Sequence, residues 1–352
     1  MTTPINTALC SFGMSGLVFH SPFLSINPDF NFYAVWERSK NKAQEKFPDV
    51  ITYRALEKML EDELIELVIV NTPNYTHYEY AKKALEAGKH VIVEKPFTVN
   101  VNEAEKLIAL AKKQNKILSV YQNRRYDSDY KTIKKVLAQK LLGDLVEVEM
   151  HFDRYREELS PEKHKETPGP GAGVLYNLGS HLIDQALQLF GIPDQVFADI
   201  RIVRPLSKVD DYFELLLYYP KLRVRLKSSY LVREALPGYI LHGTKGSFIK
   251  AKTDVQETML QAGNIPRGKD WGTEPDSEKG LLHTEIDGKI VREYITSEQG
   301  NYGDYYKGIY DAIRNNQPVP VSAEEGENVI KIIQTAFESN RLQKVIVVQK
   351  LI

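Results

Sequence analysis

The sequence predicts an α/β protein: an N-terminal Rossmann-type, doubly wound parallel sheet followed by a C-terminal α+β region on a large, mostly antiparallel open sheet. Three observations carry this. Up to residue 123, short apolar strands alternate with helical periods, the pattern of βαβ units. A glycine-bearing turn, Ser11-Phe12-Gly13-Met14-Ser15-Gly16, lies between the first strand and the first helix. Beyond residue 123 strand-like runs follow one another through short turns, as in antiparallel sheets. At 352 residues the chain is too long for one ordinary core and suits two domains, residues 1–123 and 124–352.

Taken in order, residues 5–12 read as a strand, with a helix opening near Ser15. Residues 30–36 are a strand, 40–47 a polar helix, 55–64 a short helix and 65–71 a strongly apolar strand. A helix over 76–87 closes at Gly88, a good C-terminal stop. Strands at 90–93 and 117–121 flank a helix over 102–114. The second region starts with a helix over 129–141, whose lysines alternate with Ile133, Val136 and Leu137 as on a solvated amphipathic face. A long strand over 145–155 follows, then the loop from Thr167 to Gly173 and a helix over 175–190, ended by Gly191 and Pro193. Strands are expected at 195–204, 212–219, 223–232, 239–243 and 247–251. Helices over 302–315 and 324–343 and a last strand at 345–348 complete the series.

Bulk composition narrows the function classes. A net charge of −1 gives no overall field for nucleic acid or an anionic membrane. Cys10 is the only cysteine, which excludes an intramolecular disulfide framework and fits a reducing compartment. The opening residues lack a basic stretch followed by an apolar one, so no signal peptide is expected. No apolar run approaches the roughly 20 residues of a membrane span. A cytoplasmic protein is the expectation. None of the eight histidines has another three to five residues away, so the usual local zinc spacing is absent and no metal site is expected.

The turn from Ser11 to Gly16 is the dinucleotide fingerprint with its first glycine replaced by serine. Gly13 lets the backbone approach a pyrophosphate, Gly16 allows close helix–strand packing, and the helix N-terminus offers free N–H groups to phosphate. Ser11 is expected to cost some turn freedom, because only glycine takes positive φ without penalty. Alone the motif also fits a plain tight turn; within a βαβ series it points to a nucleotide. The 30–36 strand ends in Trp36-Glu37-Arg38-Ser39, with Glu37 about twenty residues beyond Gly16. An acid there takes a ribose 2′-hydroxyl and favours NAD, whereas Arg38 and Ser39 suit the 2′-phosphate of NADP. The balance tips toward NADP. Asn71-Thr72-Pro73-Asn74, followed by Thr76 and His77, could line the middle of the cofactor, or Asn74 or Thr76 could cap the next helix.

Two further features point to chemistry. Lys95 closes Lys89-His-Val-Ile-Val-Glu94-Lys95-Pro96, where an open α/β sheet binds its ligands. On the helix over 175–190, Asn177, His181, Asp184 and Gln188 follow the spacing of one face, a polar stripe on an otherwise apolar helix.

Gly13-Met14-Ser15-Gly16, Thr72-Pro73, Glu94-Lys95-Pro96, Tyr121-Gln-Asn123-Arg124-Arg125 and Leu178-Gly-Ser-His181 together resemble the Gfo/Idh/MocA oxidoreductases over essentially the whole chain. The phrases Tyr176 to Gln185 and Ala323 to Gly326 are similar to the branch of NADP-dependent scyllo-inositol dehydrogenase. The resemblance implies NADP or NAD as cofactor and a small polyol or sugar as substrate. It also implies a cis Lys95–Pro96 peptide and a homodimer or homotetramer formed through the C-terminal sheet. Glu94 and Lys95 would then face the cofactor, Asn123 would lie near its carboxamide, and Arg124 and Arg125 would lie at the substrate mouth.

Oxidising a secondary alcohol needs a base for the hydroxyl proton and a charge to steady the developing alkoxide. His181 suits the first role near neutral pH, and Lys95 suits the second. The family commonly has an aspartate four residues before this histidine. Here Asn177 can orient the imidazole but cannot stabilise its cation by charge; Asp184, one turn beyond His181, could supply the carboxylate or bind a substrate hydroxyl. Arg154, Tyr155 and Arg156, at the end of the 145–155 strand, are further substrate candidates, or simply surface charge. The tyrosines between Asn301 and Tyr306 either wall the site or simply pack. The expected activity is interconversion of a ring secondary alcohol and its ketone. Another sugar or a dihydrodiol as substrate, or a non-catalytic cofactor-sensing regulator, are the alternatives.

Overall fold

A computed structural model describes residues 3–348, which divide into two compact units. Residues 1 and 2, which open the segment searched for a signal peptide, lie outside the described residues.

The first unit is built on a six-stranded sheet in the order β3-β2-β1-β4-β5-β6, with every neighbour parallel. The strands are β1 (Ile5–Leu9), β2 (Phe30–Trp36), β3 (Ile51–Tyr53), β4 (Leu67–Val70), β5 (His90–Glu94) and β6 (Leu118–Tyr121). This is the strand order of a dinucleotide-binding fold. β4 is apolar at every position and fully buried, as a strand covered on both faces must be. β3 was not anticipated: three half-exposed residues at a sheet edge present no apolar run. The helix Val101–Gln114 starts where Asn100 accepts from the Glu103 amide and ends at Asn115 in the left-handed region. The Lys95–Pro96 peptide is cis.

A division into two consecutive blocks does not describe this unit. It begins with residues 3–123 but also takes in Gln256–Trp271 and Tyr302–Glu327. The aromatic residues of the latter segment explain why. Tyr302, Tyr305 and Tyr306 are fully buried, with Tyr306 stacked on Phe23 at 5.6 Å and the Tyr305 hydroxyl 2.9 Å from Ser119 Oγ. These tyrosines therefore pack as core.

The second unit carries nine strands: β7 (Leu145–His151), β8 (Gln195–Arg201), β9 (Tyr212–Tyr218), β10 (Arg223–Ser229), β11 (Tyr239–Gly243), β12 (Gly246–Lys250), β13 (Gly280–Ile286), β14 (Lys289–Ile295) and β15 (Ile346–Val347). Their order is β14-β13-β12-β11-β7-β10-β9-β8-β15, antiparallel throughout except for the β7–β10 pair. The helices Ser128–Ala138 and Ser180–Phe190 supply apolar side chains to its core, among them Ile133, Val136, Leu182 and Ile183. The β13–β14 hairpin was missed, although its turn, Asp287-Gly288, holds both residues at positive φ, as a type I′ hairpin turn requires. Nearly every β14 side chain is exposed, so no apolar period marks the strand. Among the described residues no helix is long and apolar enough to cross a membrane.

Candidate active site

In the first unit a cavity of about 380 Å³ opens at the carboxyl ends of β1, β2 and β4. From the turn after β1 it is lined by Ser11, Phe12 and Gly13; from the end of β2 by Trp36, Glu37, Arg38 and Ser39; and from the turn after β4 by Thr72 and Pro73. An added Cβ at Gly13 would meet nothing within 4 Å, so this backbone faces open space. At Gly16 it would lie 2.5 Å from the Ser11 carbonyl oxygen and 3.0 Å from Asn71 Nδ2. Open space at Gly13 and close packing at Gly16 suit their two places in the fingerprint.

The expected cost at Ser11 does not arise, because Ser11 is not at positive φ. Instead it is stitched to Asn71. The Ser11 amide donates to Asn71 Oδ1 at 2.9 Å, the Ser11 hydroxyl to the Asn71 carbonyl at 2.8 Å, and Asn71 Nδ2 to the Ser11 carbonyl at 2.9 Å. Met14 and Ser15 begin the helix, which passes through a π-turn at Gly16–His20.

Glu37 does not face the cavity as a free carboxylate. It is buried and accepts from the amides of Lys42 and Ala43, at 3.3 and 3.1 Å, capping the helix Lys42–Lys46. Arg38, Ser39, Lys40 and Lys42 remain around the cavity rim. The sequence reading missed both lysines, although they lie only three and five residues beyond Glu37.

Two of the expected cofactor residues, His77 and Glu94, also brace the turns around the cavity. His77 is fully buried, with Nδ1 2.8 Å from the Pro96 carbonyl and Nε2 2.9 Å from the Thr72 carbonyl, so it ties the turn after β4 to the turn after β5. Burial holds its pKa below the ordinary value, and the neutral ring donates to one carbonyl at a time. Burial alone would raise the pKa of Glu94. His20, 3.0 Å away, and the Ser15 hydroxyl outweigh it and keep that carboxyl below its usual range. His20 in turn meets the Tyr306 hydroxyl at 2.7 Å. Thr76, the residue before the helix His77–Glu86, makes no side-chain cap to it; its Oγ1 donates to the Pro73 carbonyl instead. Lys95 is half-buried at the end of β5, and Asn123 is buried just past β6. A nicotinamide dinucleotide fits this cavity: open backbone at Gly13, a helix N-terminus and a basic rim at the end of β2.

In the second unit the helix over 175–190 enters through a π-turn, Leu175–Gly179, before the α-helix Ser180–Phe190. Asp210 fixes that entry by accepting from the Leu175 amide at 2.8 Å; a Cβ on Gly173 would collide with its carboxylate. The expected stripe is buried over only part of its length. His181 and Asp184 are buried, Asn177 is half-buried, and Gln188 is exposed. Gln185 takes the buried polar place, donating to the Arg124 carbonyl at 3.1 Å and accepting from the Tyr239 hydroxyl at 3.0 Å.

Asp184 is held by Arg125 in a two-pronged pair, Nε to Oδ2 at 2.8 Å and Nη2 to Oδ1 at 2.6 Å. Arg124 is buried and turned to Asp254 and Asp127. The His181 ring lies 6.3 Å from Phe152, over which sit Arg154, Lys252 and Arg124, at 4.5, 4.7 and 5.3 Å from the ring centre. Tyr155 lies instead against Arg233, 3.9 Å from its ring centre. Asn177 Nδ2 donates to the Tyr230 hydroxyl at 3.2 Å. Sequence reading missed Tyr230 and Lys252; both follow strand ends of the second sheet, a place the sequence marks only once the pairing is known.

Comparison with known proteins agrees with this architecture. The family model described as the oxidoreductase family's NAD-binding Rossmann fold, Gfo/Idh/MocA, matches residues 5–122, and its C-terminal alpha/beta domain matches residues 134–348. The chain is 39% identical to scyllo-inositol 2-dehydrogenase (NADP(+)) IolW of Bacillus subtilis, covering 98% of this chain and 96% of that one. It is 38% identical to the uncharacterized oxidoreductase YdgJ of Escherichia coli, over 96% of this chain and 97% of that one. A solved Bacteroides fragilis protein superposes with a TM-score of 0.90 at 49% identity, over 98% and 99% of the two chains.

Proposed function

Because the chain belongs to the Gfo/Idh/MocA family and is an NAD(P)-dependent oxidoreductase, we propose that it uses NADP to interconvert a ring secondary alcohol and its ketone on a cyclic polyol, with scyllo-inositol the leading substrate. One observation carries the cofactor preference: the Glu37 carboxylate is spent on the Lys42 and Ala43 amides, while Arg38, Ser39 and Lys40 line the cavity. An acid turned away from the ribose and a basic rim suit a 2′-phosphate better than a 2′-hydroxyl. The substrate rests on the name of the 39% identical Bacillus subtilis relative.

When bound, the nicotinamide takes or gives the hydride. In our reading this chain supplies the proton handling. The Lys95 ammonium steadies the developing alkoxide, and a ring nitrogen of His181 takes the hydroxyl proton. Asn177, linked to Tyr230, shapes the wall beside His181, and Arg125 and Arg154 are substrate-binding candidates. Asp184 is assigned a supporting part, since its carboxylate is held by Arg125. With one cysteine the chain forms no intramolecular disulfide, which suits a reducing cytoplasm.

The test offers NADP⁺ and NAD⁺ to the purified protein with inositols, aldoses and dihydrodiols and follows nicotinamide absorbance. We expect turnover of scyllo-inositol with NADP⁺, falling by about 10²–10⁴-fold in Lys95→Ala and in His181→Ala. Tight cofactor binding without turnover on any of these substrates would overturn the polyol assignment.

A further inference from the structure

The loop that carries the basic rim, residues 37–41, is clasped from outside the cavity by one side chain. β3 runs parallel to β2 with Trp36 beside Tyr53, which places Arg54, the next residue, alongside this loop. Arg54 Nη1 donates to the Glu37 carbonyl at 2.9 Å and to the Lys40 carbonyl at 2.6 Å, while Nη2 donates to Asn41 Oδ1. The Arg54 carbonyl in turn accepts from Trp36 Nε1 at 3.3 Å. Arg54 is not among the residues lining the cavity. Its guanidinium gathers three acceptors spread over five residues, which a lysine ammonium on a flexible stem does far less well.

We propose that Arg54 is the positioning residue that sets cofactor selectivity, by closing the 37–41 loop so that Glu37 caps the next helix and Arg38, Ser39 and Lys40 face the cavity. This rests on the reading that the rim takes a 2′-phosphate. Without the clasp the loop is free to open. Its cationic side chains then lose their preset positions, and the Glu37 carboxylate can swing back toward a ribose hydroxyl. The ordering cost of the loop, met in advance by Arg54, falls on the ligand instead.

Calorimetric titration of the full chain with 2′,5′-ADP and with 5′-ADP tests the role without any turnover. Wild type is expected to bind 2′,5′-ADP more tightly. Arg54→Ala should weaken 2′,5′-ADP binding about tenfold while leaving 5′-ADP within about twofold, with Arg54→Lys recovering part of the loss. Either equal weakening of both ligands in Arg54→Ala, the mark of general loop damage, or an unchanged preference overturns the proposal. Arg38→Ala separates this from failure of the cofactor reading. If wild type shows no preference and Arg38→Ala changes nothing, the rim does not take a 2′-phosphate, and the role of Arg54 falls with it.

Discussion

A methyl group at Gly16 would sit 2.5 Å from the Ser11 carbonyl oxygen, a backbone atom fixed by its own bond from Asn71. Gly16→Ala is therefore expected to destabilise the fold by about 1–3 kcal/mol, read as a lowered midpoint in urea. Three residues earlier the outcome differs. Gly13 is not at positive φ and would place a Cβ in open space, so Gly13→Ala should leave the midpoint within about 0.5 kcal/mol of wild type. The same Cβ enters the cavity, so cofactor affinity should fall in a fluorescence titration. A Gly16→Ala protein as stable as wild type would show that the helix does not pack this closely on the turn. Serine at position 11 belongs to the same economy: its hydroxyl replaces glycine's backbone freedom with a bond to the Asn71 carbonyl.

At the start of β5 the Ile117 amide donates to His90 Nδ1 at 3.1 Å, which only the unprotonated nitrogen can accept. Burial first, and the Lys116 charge second, push the His90 pKa down from 6.5 to about 4. The folded pKa is depressed, so between these values the unfolded chain binds the proton more strongly. The contribution of His90 is then complete above about pH 6.5 and is lost as pH falls toward 4. His90→Asn keeps an acceptor near the Nδ1 position and removes the titration. The thermal midpoint of wild type should drop more between pH 7 and pH 5 than that of His90→Asn, by a few degrees. Equal drops would place the acid sensitivity elsewhere. Two helices that carry candidate site residues share a different device: Gly16–His20 and Leu175–Gly179 are both π-turns, a feature found often at functional sites.

Across the second unit one row of partners follows the register over Tyr294, Leu281, Ile249, Ile240, Glu149, Arg225, Leu216 and Phe197. These side chains share the face opposite the buried Leu282, Phe248, Leu241, Met150 and Leu226. The row is apolar at both flanks, and its centre is an ion pair, Arg225 to Glu149 at 2.5 Å. A half-exposed apolar face of this length suits self-association, and we propose a homodimer or homotetramer formed through it. Ile249→Glu should shift the light-scattering mass toward the 40.2 kDa monomer without altering the circular dichroism. A monomeric wild type would remove the proposal.

By itself the sequence determined the fold class and most of the elements, because alternation, apolar runs and glycine stops act over a few residues. It marked Gly13, Gly16, Lys95 and His181 for the same reason, since each lies in a local strand–turn or helix phrase. It could not place β3 or β14, whose exposed side chains carry no apolar period. Nor could it assign Gln256–Trp271 and Tyr302–Glu327 to the first unit, which depends on tyrosines packing against residues some 280 positions earlier in the chain, as Tyr306 does on Phe23. Glu37 is the sharpest case. Its position fits a ribose ligand, but only the folded loop turns its carboxylate to the Lys42 and Ala43 amides and brings Arg54 over to hold that loop closed. A side chain's direction is settled by which hydrogen-bonding groups the fold brings within reach, and those groups come from other strands.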